Sequence, residues 1–133
     1  MKLRNANLHN VDDLNIIINS CTKVKQKCIE QWTELEVLNS LINGTSFALI
    51  GEENDALIFY IKGNIFWIWI AHSKHIDAIG YYMDDIKQIA MELKCDNVSW
   101  NSTRPGYKKL LNKLNAKISR IEYSITIGDQ CEK

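Results

Sequence analysis

A single proline in 133 residues, with no Gly-, Ser- or Pro-rich stretch, gives this chain little internal punctuation. No linker, repeat or low-complexity tract is visible. One domain spanning 1–133 is therefore expected, long enough to bury a core without staples. Net charge is lacking as well, since sixteen Lys and Arg balance sixteen Asp and Glu. With no net field, neither nucleic acid nor an anionic membrane is an expected partner. The basic clusters at 23–27 and 108–109 are expected as solvated helix faces. Long hydrophobic runs are missing too. The longest, Ile65–Ala71, is far shorter than a membrane span, and the opening MKLRNANLHN has no apolar signal-like segment.

The four cysteines, Cys21, Cys28, Cys95 and Cys131, show no CxxC or Cys/His ligand spacing, so no metal is expected. Reduced thiols in a cytoplasmic setting follow as the expectation. The triplets beginning at Asn43 and Asn101 match the glycosylation pattern but would meet no glycosylating machinery there. No GxSxG elbow, P-loop or HExxH phrase occurs.

The composition that is present, 46% hydrophobic and 24% charged, is that of an ordinary globular protein. Periodicity sets out the elements. A short strand is expected at Lys2–Asn5, then a helix capped by Asn10 and running through Ser20, with Asp12 and Asp13 in its first turn. A second helix is expected from Val24 to Leu41, with Cys28, Trp32, Leu35, Leu38 and Leu41 on its apolar face and Asn43-Gly44 ending it. A three-stranded meander follows at Ser46–Gly51, Ala56–Lys62 and Asn64–Ala71. The last of these is apolar on both faces, which marks a central strand covered by helices on each side. Trp67 and Trp69 are expected in the core.

A third helix is expected over Ile76–Lys94, with Ile79, Tyr82 or Met83, Ile86, Ile89 or Ala90 and Leu93 buried. A strand at Asn97–Asn101 comes next. Ser102 or Thr103 can cap a fourth helix with Pro105 in its first turn and Tyr107, Leu110, Leu111 and Leu114 inward. An alternating strand, Ile118–Ile127, closes the chain. The fold class is therefore α+β, with order β-α-α-β-β-β-α-β-α-β.

That order resembles the GCN5-related N-acetyltransferase fold over nearly the whole chain. The opening LRNANLHNVDDLNII is similar to that family's first strand and helix. The family's pyrophosphate phrase, Gln or Arg followed by x-x-Gly-x-Gly/Ala, falls on His75, Ile76, Asp77, Ala78, Ile79 and Gly80. Its closing Leu-Gly-Phe/Ala phrase falls on Leu114, Asn115 and Ala116. A narrower resemblance, carried by IFWIWIA and KKLLNKLNAKI, is to small acetyltransferase-like proteins of tailed bacteriophages. The resemblance implies a mixed, mainly antiparallel central sheet with helices on both faces. It also implies an acetyl-coenzyme A site along Ile70, Ala71, His72, the His75–Gly80 phrase and Asn101.

The chemistry that the resemblance asks for is incomplete here. Backbone N–H groups at a helix start cradle a pyrophosphate only if the backbone can come close. Ala78 stands where the first glycine would be, and Asp77 adds negative charge, which Lys74 and His75 partly offset. The tyrosine that often serves as general acid would fall on Leu111, with Tyr107 one turn earlier. No glutamate base lies between Ile65 and Ala71, leaving His72 as the one group there with a suitable pKa. Glu52 and Glu53 are expected as solvated turn residues. Weak or absent acetyl-coenzyme A use is thus expected. The chain is read as a degenerate acetyltransferase-like protein, phage-encoded by resemblance, acting through a protein partner as a virion accessory or host-interaction factor. The alternative is an active N-acetyltransferase on a protein or small amine.

Overall fold

The computed structural model describes residues 1–27, 32–75, 78–101, 117–119 and 122–127. Seven strands form one sheet in the order β1-β2-β3-β4-β5-β7-β6. They are β1 (Arg4–Asn5), β2 (Phe47–Ile50), β3 (Ala56–Lys62), β4 (Ile65–His72), β5 (Asn97–Asn101), β6 (Lys117–Ser119) and β7 (Glu122–Thr126). Every neighbouring pair is antiparallel except β4 with β5. That parallel pair is joined by the helix α3 (Ala78–Glu92), as a parallel connection requires.

The apolar set of each element divides between the two faces of the sheet. One core joins α3 (Ile79, Tyr82, Met83, Ile86, Ala90) to Leu49, Leu57, Phe59, Phe66, Ile68, Val98, Trp100 and Ile125. The other joins Ile17, Cys21 and Val24 of α1 (Val11–Lys27) and Val37 and Leu41 of α2 (Glu34–Ile42) to Ala48, Ile50, Ile58 and Ile70. The central strand β4 serves both cores, which is why its sequence is apolar on both faces. Trp67 is 9% exposed and Trp100 only 1% exposed, so both lie in the interior. The α+β class is what the periodicity implied, and a mainly antiparallel sheet with helices on both faces is what the family resemblance implied.

Several boundaries differ from the sequence expectation. Helix α1 does not stop at Ser20. Ile17, Cys21 and Val24 continue one buried stripe at helical spacing, and no Gly or Pro interrupts it. Asn10 Oδ1 caps it, accepting from Asp12 N at 2.8 Å and Asp13 N at 3.2 Å. Helix α2 starts at Glu34 because Thr33 caps it: Thr33 Oγ1 accepts from Glu36 N at 3.1 Å and donates to the Glu36 carboxylate at 3.3 Å. Leu35 consequently points outward, 66% exposed, not into the core. Asn43 and Gly44 end α2 as expected, with Gly44 at φ 76°.

Leu93 is also displaced from its expected burial, at 47% exposure, because α3 ends at Glu92 and Lys94 turns into the left-handed region at φ 62°. The closing strand is two strands, β6 and β7, and β7 rather than β6 lies against β5. The expected fourth helix, with Tyr107, Leu110, Leu111 and Leu114, falls outside the described residues. So does Cys28 of the expected second helix.

Candidate functional site

The site is set by an irregularity in β4. Ile58 pairs with Ile70 and Phe59 pairs with Ile68, so Trp69 is an extra residue opposite β3. Such a bulge breaks the alternation of side chains. Trp69 packs on the α1–α2 core and Ile70 lies within it, so successive residues share a face. Downstream residues are re-aimed accordingly. Ala71 packs on the α3 side, and His72 lines a cavity on the α1 side.

The same place ends the pairing of β4 with β5. Their register runs from Ile65↔Asn97 to Ile68↔Trp100. Past that point β4 continues along β3 as far as His72↔Ala56, while Asn101 of β5 pairs with Glu122. Among the described residues, the register between β4 and β5 thus ends at Ile68↔Trp100, while β4 runs on along β3. Where a strand runs on past its parallel neighbour in this way, the two form a fork. Trp100 stands at its base, packed into the α3 core.

The segment joining β4 to α3 is tied down by a buried carboxylate. Asp55, 1% exposed, accepts from Ser73 Oγ at 2.7 Å, from Lys74 N at 3.0 Å and from the Tyr82 hydroxyl. Ser73 Oγ in turn accepts from His75 N at 2.9 Å. Tyr82 Oη also accepts from Glu52 N at 3.0 Å, linking the turn before β3 to the second turn of α3. Burial raises the Tyr82 pKa well above the usual phenol range, and the hydrogen bond to Asp55 raises it further. Gly51 is needed for space: a Cβ there would sit 2.6 Å from Tyr82 Cζ and closer to its oxygen.

Aromatic rings cover the next turn. The His75 ring stacks on Tyr81 with centroids 3.6 Å apart, and His75 Nε2 is buried with no hydrogen-bond partner among the described residues. Tyr81 donates to the Glu52 carboxylate, which raises the Tyr81 pKa, and Lys2 Nζ lies 4.0 Å over its ring. Glu52 is thus wired to α3 rather than merely solvated. Asp85 fastens the N-terminal segment to the same helix, accepting from Leu3 N at 2.9 Å.

The remaining expected residues divide as follows. Ala78, Ile79 and Gly80 form the first turn of α3, with Ile79 buried in the core. Ile76 and Asp77, together with Tyr107, Leu111 and the Leu114–Ala116 phrase, lie outside the described residues. His72 lines a polar cavity of about 430 Å³. Asp12, Asn15, Asn19, Lys23, Glu53 and Lys74 also line it. Sequence reasoning missed Asp55 altogether. The signal available was Tyr82, a tyrosine on a buried stripe whose hydroxyl must find a partner. Among the described residues no cluster of three or more His, Cys, Asp or Glu could hold a metal, and no helix is long and apolar enough to cross a membrane.

No protein-family profile matches the chain, and no curated protein matches it in sequence. Solved structures do match. An aminoglycoside 6′-N-acetyltransferase complexed with coenzyme A superposes with a TM-score of 0.72 at 8% identity, over 96% of this chain and 98% of that one. Tetrahymena GCN5 superposes at 0.67 with 10% identity, over 96% and 97%. The apo ribosomal L7/L12 α-N-protein acetyltransferase RimL gives 0.60 at 12% identity, over 96% and 91%. The chain has the GCN5-related N-acetyltransferase fold. Identities this low establish the fold alone.

Proposed function

We propose that this chain keeps the acetyltransferase fold as a scaffold for binding another protein, with weak or no use of acetyl-coenzyme A. The observation that carries this is the commitment of the strand-to-helix segment to internal partners. Lys74 N–H is spent on Asp55 and His75 N–H on Ser73. A pyrophosphate brought to that segment would compete for those donors and meet the buried carboxylate beneath them. The residues present therefore do not fit the cofactor well, and no catalytic step is derived through it.

A protein partner is supported by an apolar groove of about 440 Å³ between the sheet and α3. Leu3, Phe47, Leu49, Phe59, Ile61 and Leu93 are among its lining residues. Phe47 is 46% exposed there, a large apolar side chain left at the surface. The resemblance of IFWIWIA and KKLLNKLNAKI to small phage proteins supports a role as a virion accessory or host-interaction factor, located in a host cytoplasm or a virion. Balanced charge supports neither nucleic acid nor membrane as the partner.

The second reading, an active N-acetyltransferase acting on a protein or small amine, is favoured by the preserved fork. It is favoured too by His72, which lines a cavity with two carboxylates, Asp12 and Glu53, suited to an amine. Thermal unfolding with and without acetyl-coenzyme A separates the two. A ligand at a hundred times its dissociation constant adds about 2.7 kcal/mol, a shift of several degrees. The scaffold reading expects no shift at about 1 mM cofactor, a concentration at which even a 10 μM site would be near that ratio. A clear shift that disappears in Gly80→Glu would establish the second reading instead.

A further inference from the structure

The proposed function leaves open which side chain keeps the cofactor out. We infer that Asp55 is the chain's own anion at the segment between β4 and α3, and that its carboxylate excludes phosphate-bearing ligands from a fold otherwise shaped to take them. This rests on the reading of weak cofactor use and adds the residue responsible for it.

The geometry is that of a filled anion site. Three donors converge on Asp55 from two separate elements: the Ser73 hydroxyl and Lys74 N–H from the segment after β4, and the Tyr82 hydroxyl from α3. Among the described residues, no ammonium or guanidinium group joins them. Among the described residues the ion pairs are Arg4 with Asp13 and Lys25 with Glu34, both elsewhere in the molecule. This carboxylate is 1% exposed and sits beside the segment as the acceptor of all three hydrogen bonds. Carboxylate charge in such a buried position is screened far less than at the surface.

Among the described residues of the segment, the bonding takes up two consecutive donors. Lys74 N–H goes to Asp55 directly. His75 N–H goes to Ser73 Oγ, whose own proton goes to Asp55, so one carboxylate orients two consecutive backbone N–H groups. A phosphate bound at a strand-to-helix junction is held by consecutive N–H groups of this kind. Here they are turned toward a side chain of the same molecule.

A purely architectural Asp55 would hold the loop without affecting ligand choice. Two variants distinguish the cases. Asp55→Asn keeps the shape and the capacity to accept from Lys74 N while removing the charge. Asp55→Ser removes the charge and also frees the Lys74 donor. Binding of inorganic pyrophosphate and of coenzyme A is measured calorimetrically on each folded full-length protein, with circular dichroism to verify folding. The wild-type chain is expected to bind neither below millimolar concentration. Each variant is expected to bind both at least about tenfold tighter, as loss of a nearby buried like charge implies.

Folded variants whose affinities match the wild type would overturn the inference and leave the scaffold function standing. Failure of both variants to fold would overturn it as well, since Asp55 would then be needed for the fold itself. Micromolar binding of coenzyme A by the wild-type chain would instead defeat the proposed function.

Discussion

Replacing Tyr82 by Phe takes one oxygen out of the junction between the turn before β3 and helix α3. That oxygen donates to Asp55 and accepts from Glu52 N at 3.0 Å, and Tyr82 is 3% exposed. A hydrogen bond to a carboxylate contributes about 1.5–3 kcal/mol, and a backbone N–H left without its acceptor costs about 1 kcal/mol or more. Water can reach part of the turn at Glu52, so the expected loss is about 2–3 kcal/mol. In a domain of this size that lowers the melting temperature by about 10 °C. Urea unfolding measures the free energy, and the slope with denaturant should stay unchanged.

A second readout comes from alkali. Burial first and Asp55 second raise the Tyr82 pKa in the folded state above its unfolded value. The resulting stability is fully present below about pH 10 and is lost as pH rises toward the folded value. Stability of the wild type should therefore fall above about pH 10 more steeply than that of Tyr82→Phe. A loss below about 0.5 kcal/mol, with identical alkaline slopes, would refute the network as a structural element.

Asp13 is pulled from 3.8 to about 2, chiefly by the Arg4 guanidinium and then by Asn7 N–H. Its folded pKa is depressed, so its stabilisation is present above about pH 4 and lost as pH falls through about 2. Arg4 is 57% exposed and screened, so Asp13→Asn should cost about 1–2 kcal/mol at neutral pH and flatten the acid limb of a stability–pH profile. Gly51→Ala drives a methyl into the Tyr82 ring and should destabilise by about 3 kcal/mol in urea melts. Thr33→Ala removes the cap of α2 and should cost about 1 kcal/mol by the same assay, without altering ligand binding.

Strand and helix order were legible because the side-chain period declares itself locally. Phe66, Trp67 and Ile68 alternate, and Ile79, Met83, Ile86 and Ala90 recur at helical spacing. Boundaries were legible only where a cap was recognised. Asn10 and Asn43 were read correctly, whereas Thr33 was passed over and the second helix was begun ten residues too early. The break within the closing strand left no mark in the alternation, because two strands of an antiparallel pair share one period.

The site was harder. A bulge such as that at Trp69 has no composition signal, yet it decides that His72 lines the α1 cavity. Asp55 sits in an EEND turn that reads as solvent-facing. Its partners Ser73 and Tyr82 lie eighteen and twenty-seven positions away, so only the packed hairpin and helix bring them together.

The central claim is tested most directly at one atom, the backbone N–H of Lys74. Its amide resonance and hydrogen-exchange rate can be followed by NMR while acetyl-coenzyme A is titrated into the wild-type protein. Held by Asp55, this amide should be protected from exchange, and its shift should stay fixed to millimolar cofactor. A saturable shift of the Lys74 amide at micromolar acetyl-coenzyme A would contradict the account.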